Sequence, residues 1–79
     1  MESNQARKLF TQLDHTDKDA IRSLLRQIGP YGDIDVISGL LRSLNKLGMK
    51  RLSIDVLLID EMRWPKNVAR KLIKESGVK

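Results

Sequence analysis

The side chains best suited to chemistry in this chain are cations near its C-terminal end. Arg63, Lys66, Asn67, Arg70, Lys71 and Lys74 lie close together in sequence. At about 100° per residue, Lys66, Asn67, Arg70, Lys71 and Lys74 share a helix face opposite Val68, Leu72 and Ile73. Such a face suits a polyanion. Lys and Arg release counterions when they neutralise phosphates, and Asn67 and Arg70 carry donors able to read base edges. Catalytic chemistry has much less support. His15 is the single imidazole, with Asp14 beside it as an orienting group, but the chain has no Cys. The neighbouring hydroxyls, Thr11 and Thr16, fall at expected helix boundaries. No catalytic constellation forms, and His15 reads as an exposed loop histidine.

The acidic residues also have a plain reading. A calcium loop needs oxygen ligands at alternate positions, a central Gly and a Glu at its twelfth place. Counted from Asp14 that place is Leu25, and from Asp17 it is Ile28. Helix capping accounts for Asp14, Asp17, Asp19, Asp33 and Asp35 without a metal. No Walker-type phosphate loop is present. Gly29-Pro30-Tyr31-Gly32 has the spacing of the nucleotide-clamping loop of KH domains, but no basic residue stands between its glycines. Acidic Asp33 and Asp35 follow it, and flanking strands are missing, so it reads as a helix–helix turn. No cofactor and no metal are expected.

Charge is the most informative bulk property. Of 79 residues, 15 are Lys or Arg and 10 are Asp or Glu, a formal net charge of +5. Residues 1–41 hold five basic and six acidic side chains, net −1, whereas residues 42–79 hold ten basic and four acidic, net +6. The whole basic excess therefore sits in the C-terminal half. No apolar run approaches the length of a membrane span, and Met1-Glu2-Ser3-Asn4-Gln5 lacks the layout of a signal peptide. The absence of Cys excludes a disulfide scaffold, a thiolate zinc site and a cysteine nucleophile. The expectation is a soluble, cytoplasmic, single helical domain over 1–79, without a membrane partner. With Phe10, Tyr31 and Trp64 as its only aromatic residues, the core must come from Leu, Ile and Val.

The elements that hold the cations follow from periodicity. Ala6, Leu9, Phe10 and Leu13 predict a first helix over 4–13, capped by Ser3 or Asn4. Thr16 is the expected cap of a second helix over 17–28, with Ala20, Ile21, Leu24, Leu25 and Ile28 inward, Gly29 as its left-handed C-cap and Pro30 barring continuation. Asp33 caps a third, whose stripe is Ile34, Ile37, Leu40, Leu41, Leu44 and Leu47. Gly39 in its middle costs about 1 kcal/mol against Ala, which a close helix approach would explain. Residues 50–61 fit two patterns. Leu52, Ile54, Val56 and Leu58 alternate as in a strand, while Ile54, Leu57 and Leu58 fit a helix capped by Ser53. No second strand is available to pair its backbone, which favours the helix. Trp64 precedes Pro65 and falls outside any helix, either plugging the core or anchoring a partner. A last helix covers 65–75.

This predicts an all-α bundle of four or five short helices. Helix 53–61, a turn at 62–65 and helix 65–75 permit a helix-turn-helix layout at the C-terminal end. The turn lacks the Gly common in that motif, so the likeness is one of layout. The first functional expectation is a small non-enzymatic DNA-binding regulator using Arg63, Lys66, Asn67, Arg70, Lys71 and Lys74. The alternative is a helical adaptor whose basic face steers it toward an acidic protein partner. Val36, Leu57, Ile59 and Met62 look surplus to one apolar face. They point either to a homodimer interface or to a helix buried on all sides.

Overall fold

Two aspartates set the starts of the central helices. Asp17 accepts the N–H groups of Asp19 and Ala20, both at 3.1 Å, and opens α2, Lys18–Ile28. Thr16 does not cap it as expected. Its N–H and hydroxyl are both committed to Asp14 Oδ1, at 2.9 and 2.7 Å, in the preceding turn, which leaves the next carboxylate to take the helix. Asp33 accepts from Asp35 and Val36 at 2.9 and 3.2 Å and opens α3, Ile34–Lys46. The expected Ser3 or Asn4 cap of the first helix is also absent. Helix α1 spans Ser3–Gln12 with Glu2 at the cap position and no side-chain bond there. The Ser3 hydroxyl donates instead to Asp33, tying α1 to the start of α3.

The computed structural model describes all 79 residues and has no strand. Helix α3 touches every other helix. Around it lies one core of 18 buried residues, mostly Leu, Ile and Val. Leu24, Leu25, Leu41, Leu44 and Leu72 all belong to it. Gly39 has the role that a close approach predicts. A Cβ there would stand 2.6 Å from Phe10 Cζ, so the missing side chain is the seat of the Phe10 ring. Gly29 ends α2 at φ 77° and ψ 175°, a region that glycine enters without steric cost, although it is not the left-handed helical conformation expected.

Residues 50–61 are helical. Helix α4 spans Arg51–Val56, and its last turn widens into a π-helical turn over Leu57–Glu61. Ser53 is not its cap. Lys50 occupies that position without a side-chain bond, and the Arg51 N–H donates to the Lys79 carbonyl at 3.1 Å. The alternating apolar set is divided by helical geometry. Ile54, Leu57 and Leu58 are buried, while Leu52 is 75% exposed and Val56 faces outward. Beyond the π-helical turn, Met62 N–H donates to Leu57 O at 3.0 Å and Trp64 N–H to Leu58 O at 2.9 Å. Trp64 then drops into the core. Pro65 caps α5, Lys66–Ser76.

Two expectations about apolar residues change. Ile34 opens α3 and is 52% exposed rather than part of the inward stripe; Val36 is buried in its place. Val36 and Leu57 are fully enclosed, and Ile59 and Met62 are half-buried against the core. The residues that looked surplus are thus used within one chain, because α3 and α4 contact neighbours on more than one side.

Candidate nucleic-acid interface

Helix α5 presents its two faces as the periodicity requires. Ala69, Leu72 and Ile73 are buried, Val68 is half-buried, and Lys66, Asn67, Arg70, Lys71 and Lys74 are exposed. The inward face fixes the rotation of the helix, so the cations cannot turn away from solvent without exposing Leu72 and Ile73. Fully burying such aliphatic side chains contributes about 1.5–3 kcal/mol each. Arg63 is exposed on the turn before α5, at φ 59°, the single non-glycine residue with positive φ.

The structure divides the predicted set. Arg70, Lys71 and Lys74 enter a groove of about 660 Å³ between α4 and α5, whose other lining residues are Arg51, Leu52, Asp55 and Ile73. Arg63, Lys66 and Asn67 stand outside it, at the N-terminal end of α5 and on the preceding turn. A smaller groove of about 280 Å³ lies on the other side of Lys71, formed with Tyr31, Ile34, Val68 and Glu75 among others. Lys71 therefore forms the ridge between the two.

Electrostatically the two halves of the molecule differ. Every ion pair lies within residues 1–35: Arg7 with Asp33 at 3.0 Å and Asp35 at 3.9 Å, and Arg22 with Asp19 at 3.9 Å. The cations of α4, α5 and the intervening turn make none. Asp55 is the single acid lining the α4–α5 groove, against four basic residues.

Arg51 and Leu52 line the groove beside Arg70 and Lys74, and sequence reasoning did not place them there. With Ser53 taken as the cap, both fell before the helix. Once α4 begins at Arg51, Arg51 and Asp55 stand one turn apart on the face toward α5. That i, i+4 spacing was the available signal.

His15 differs from its predicted state as an exposed loop residue. It is half-buried, and its Nε2–H donates to the Phe10 carbonyl at 2.9 Å, an atom that can only accept. Nδ1 lies 3.0 Å from Ser43 Oγ, and the ring meets Phe10 edge-on at a centroid distance of 4.6 Å. The imidazole thus links the end of α1 to the last turn of α3, and both ring nitrogens are engaged in that link.

Fold and surface together define a small all-helical bundle with an unpaired cationic face. The chain matches no protein-family model, and no curated protein or solved structure gives a significant match. No helix is long and apolar enough to cross a membrane.

Proposed function

We propose that this chain is a small non-enzymatic DNA-binding regulatory protein that acts through α5 and the turn before it. One observation carries the reading: the C-terminal cations are exposed and lack any acidic partner, while Asp17, Asp19, Asp33 and Asp35 of the first half are occupied as caps or in ion pairs. Holding like charges together without partners disfavours the folded state, and a polyanion relieves that repulsion. Helix α4, the turn and α5 follow one another as in a helix-turn-helix, with α5 in the recognition position. Asn67 and Arg70 have the donors for base edges, and Lys66, Lys71, Lys74 and Arg63 serve phosphates. A second copy would have Tyr31, 78% exposed, and Ile34 available beside α5 as apolar contact surface.

The test is binding to random-sequence duplex DNA across a range of salt. Micromolar affinity is expected at low salt, with a log–log slope of about −3 to −5, each neutralised phosphate contributing about −0.9. The pair Arg70→Glu and Lys74→Glu is expected to abolish it. A specific observation also favours a second reading. Leu52 and Val56 are exposed apolar residues near the cationic groove, as an adaptor for an acidic protein partner would require. Absence of DNA binding even at low salt would overturn the first reading and leave the second.

A further inference from the structure

The groove between α4 and α5 was not visible as a site in the sequence, and it differs from the rest of the α5 surface in having two walls. Arg70 and Lys74 form one wall. They are one helical turn apart, about 6 Å along the axis, close enough to address neighbouring phosphates of one strand. Arg51 stands on the other wall, as the first residue of α4. Its backbone is fixed by the bond to the Lys79 carbonyl, and that carbonyl is also held by Asn45 Nδ2 at 3.1 Å. The same Asn45 amide donates to Met49 O at 2.9 Å, which clamps the α3–α4 link and the Lys79 segment together. Arg51 therefore projects from an anchored position while its side chain remains free of any carboxylate.

Leu52 borders the cations and is covered by nothing in the fold. Isolated exposed leucines are ordinary on protein surfaces. This one lies in a groove whose other exposed groups are mostly cationic, and the complement of such a surface has alternating anionic and apolar parts. A sugar–phosphate strand has that composition. A free inorganic anion would satisfy the cations alone.

We propose that this groove seats one sugar–phosphate strand of a bound duplex, with Arg51 closing on the phosphates from the wall opposite Arg70 and Lys74 and with Leu52 against the sugars. The proposal rests on the DNA-binding reading and adds to it a division of labour. The groove sets position without reading sequence, so Arg70, which lines it, contacts phosphates here rather than base edges. Base contacts are left to the N-terminal part of α5, where Asn67 lies outside the groove. Asp55 is the exception inside the groove, since its carboxylate repels the strand. It sits one turn from Arg51, and its removal is therefore informative.

The experiment is fluorescence anisotropy with a labelled random-sequence duplex, from low to near-physiological salt, on the full chain. Arg51→Gln is expected to weaken binding about tenfold at low salt, equally for unrelated sequences, and to reduce the salt slope by about 1. Leu52→Ser should weaken binding with the slope unchanged. Asp55→Asn should tighten it about threefold at low salt, with the gain fading as salt screens the charge. Circular dichroism melts check that each variant folds. If Arg51→Gln proves unstable, Asp55→Asn carries the test by itself, because a gain in affinity cannot come from misfolding. Wild-type binding that none of the three changes alters would overturn the groove proposal and leave the outward face of α5 as the DNA contact. Failure of the wild type to bind would overturn the DNA reading and the groove proposal together.

Discussion

Asp33 accepts hydrogen bonds from four groups: the Ser3 hydroxyl, the Arg7 guanidinium and the N–H groups of Asp35 and Val36. The Ser3 and Arg7 side chains, then the Val36 N–H, favour its ionised form and lower its pKa from 3.8 to about 2. The sign of the linkage follows. A carboxylate depressed on folding contributes stability that is complete above its ordinary pKa and is lost as pH falls toward the folded value. Thermal melts should therefore show the midpoint falling between about pH 4 and pH 2. Asp33→Asn keeps an oxygen acceptor for the cap but gives up the charge, so it should be less stable at neutral pH and show a flatter acid limb. A residual slope should remain, because the Thr16 hydroxyl and N–H also hold Asp14 below its ordinary pKa. An acid limb unchanged by Asp33→Asn would mean that the contacts to Ser3 and Arg7 do not persist in solution. Gly39 supports a second residue-level prediction. Ala in a helix interior is favoured over Gly by about 1 kcal/mol, yet its methyl would meet the Phe10 ring at 2.6 Å, and overpacking costs about 1–3 kcal/mol. Phe10 has little room to give, since His15 stands against it. Gly39→Ala should lower stability by about 1 kcal/mol in chemical denaturation; a gain would show that the ring swings aside freely.

Among the elements, α2 and α3 were legible because most of their cap and stripe signals pointed the same way, although Asp17 caps α2 in place of Thr16 and Ile34 leaves the α3 stripe. Asp33 began one and Gly29-Pro30 ended the other, where the backbone required them. Helix α4 was legible only by elimination, because its apolar residues satisfy two periods at once and the lack of a second strand alone favoured the helix. Leu52 and Val56 are needed for the strand alternation but are the exposed pair of the helix, whose start and inward face are set by packing against α3 and α5. For the same reason the cations of α5 could be read from sequence, whereas Arg51 could not. Its place depends on where α4 starts, and that start is set by the remote Lys79 carbonyl rather than by a local cap. The junction between α4 and α5 has its own consequence. A π-helical turn followed by Arg63 at φ 59° is the means by which Trp64 reaches the core. A non-glycine residue there costs about 1–2 kcal/mol, partly offset in any glycine variant by about 0.5–1 kcal/mol of extra chain entropy. Arg63→Gly should therefore leave the melting midpoint unchanged or slightly raised while weakening DNA binding. A loss above about 1 kcal/mol would instead assign the exposed Arg63 side chain a structural role.

At the scale of the whole molecule, packing and charge pull in different directions. The radius of gyration is 11.1 Å, close to the roughly 11.6 Å expected for a compact chain of this length. The candidate dimer residues Val36 and Leu57 are already consumed by the core. Packing is thus completed within one chain, whereas charge is not. The net +6 of residues 42–79 has no ion pair to balance it, and each of the three ion pairs of the first half has at least one exposed partner and so a small net value. Added salt screens both terms, but the repulsion is spread over many unpaired cations and the attraction over two arginines. Raising ionic strength from about 0.01 M to about 0.15 M shortens the screening length from about 30 Å to about 8 Å, which is less than the span of the cationic face. The melting midpoint should therefore rise with sodium chloride over that range. Lys74→Gln should raise it at low salt by the equivalent of a few tenths of a kcal/mol, with no effect at high salt. The same substitution should weaken DNA binding, so stability and affinity would move in opposite directions at one residue. A midpoint that falls with salt would mean that the Arg7 and Arg22 pairs outweigh the repulsion. The cationic face would then be well solvated by itself, and the argument that a polyanion is needed to relieve it would fail.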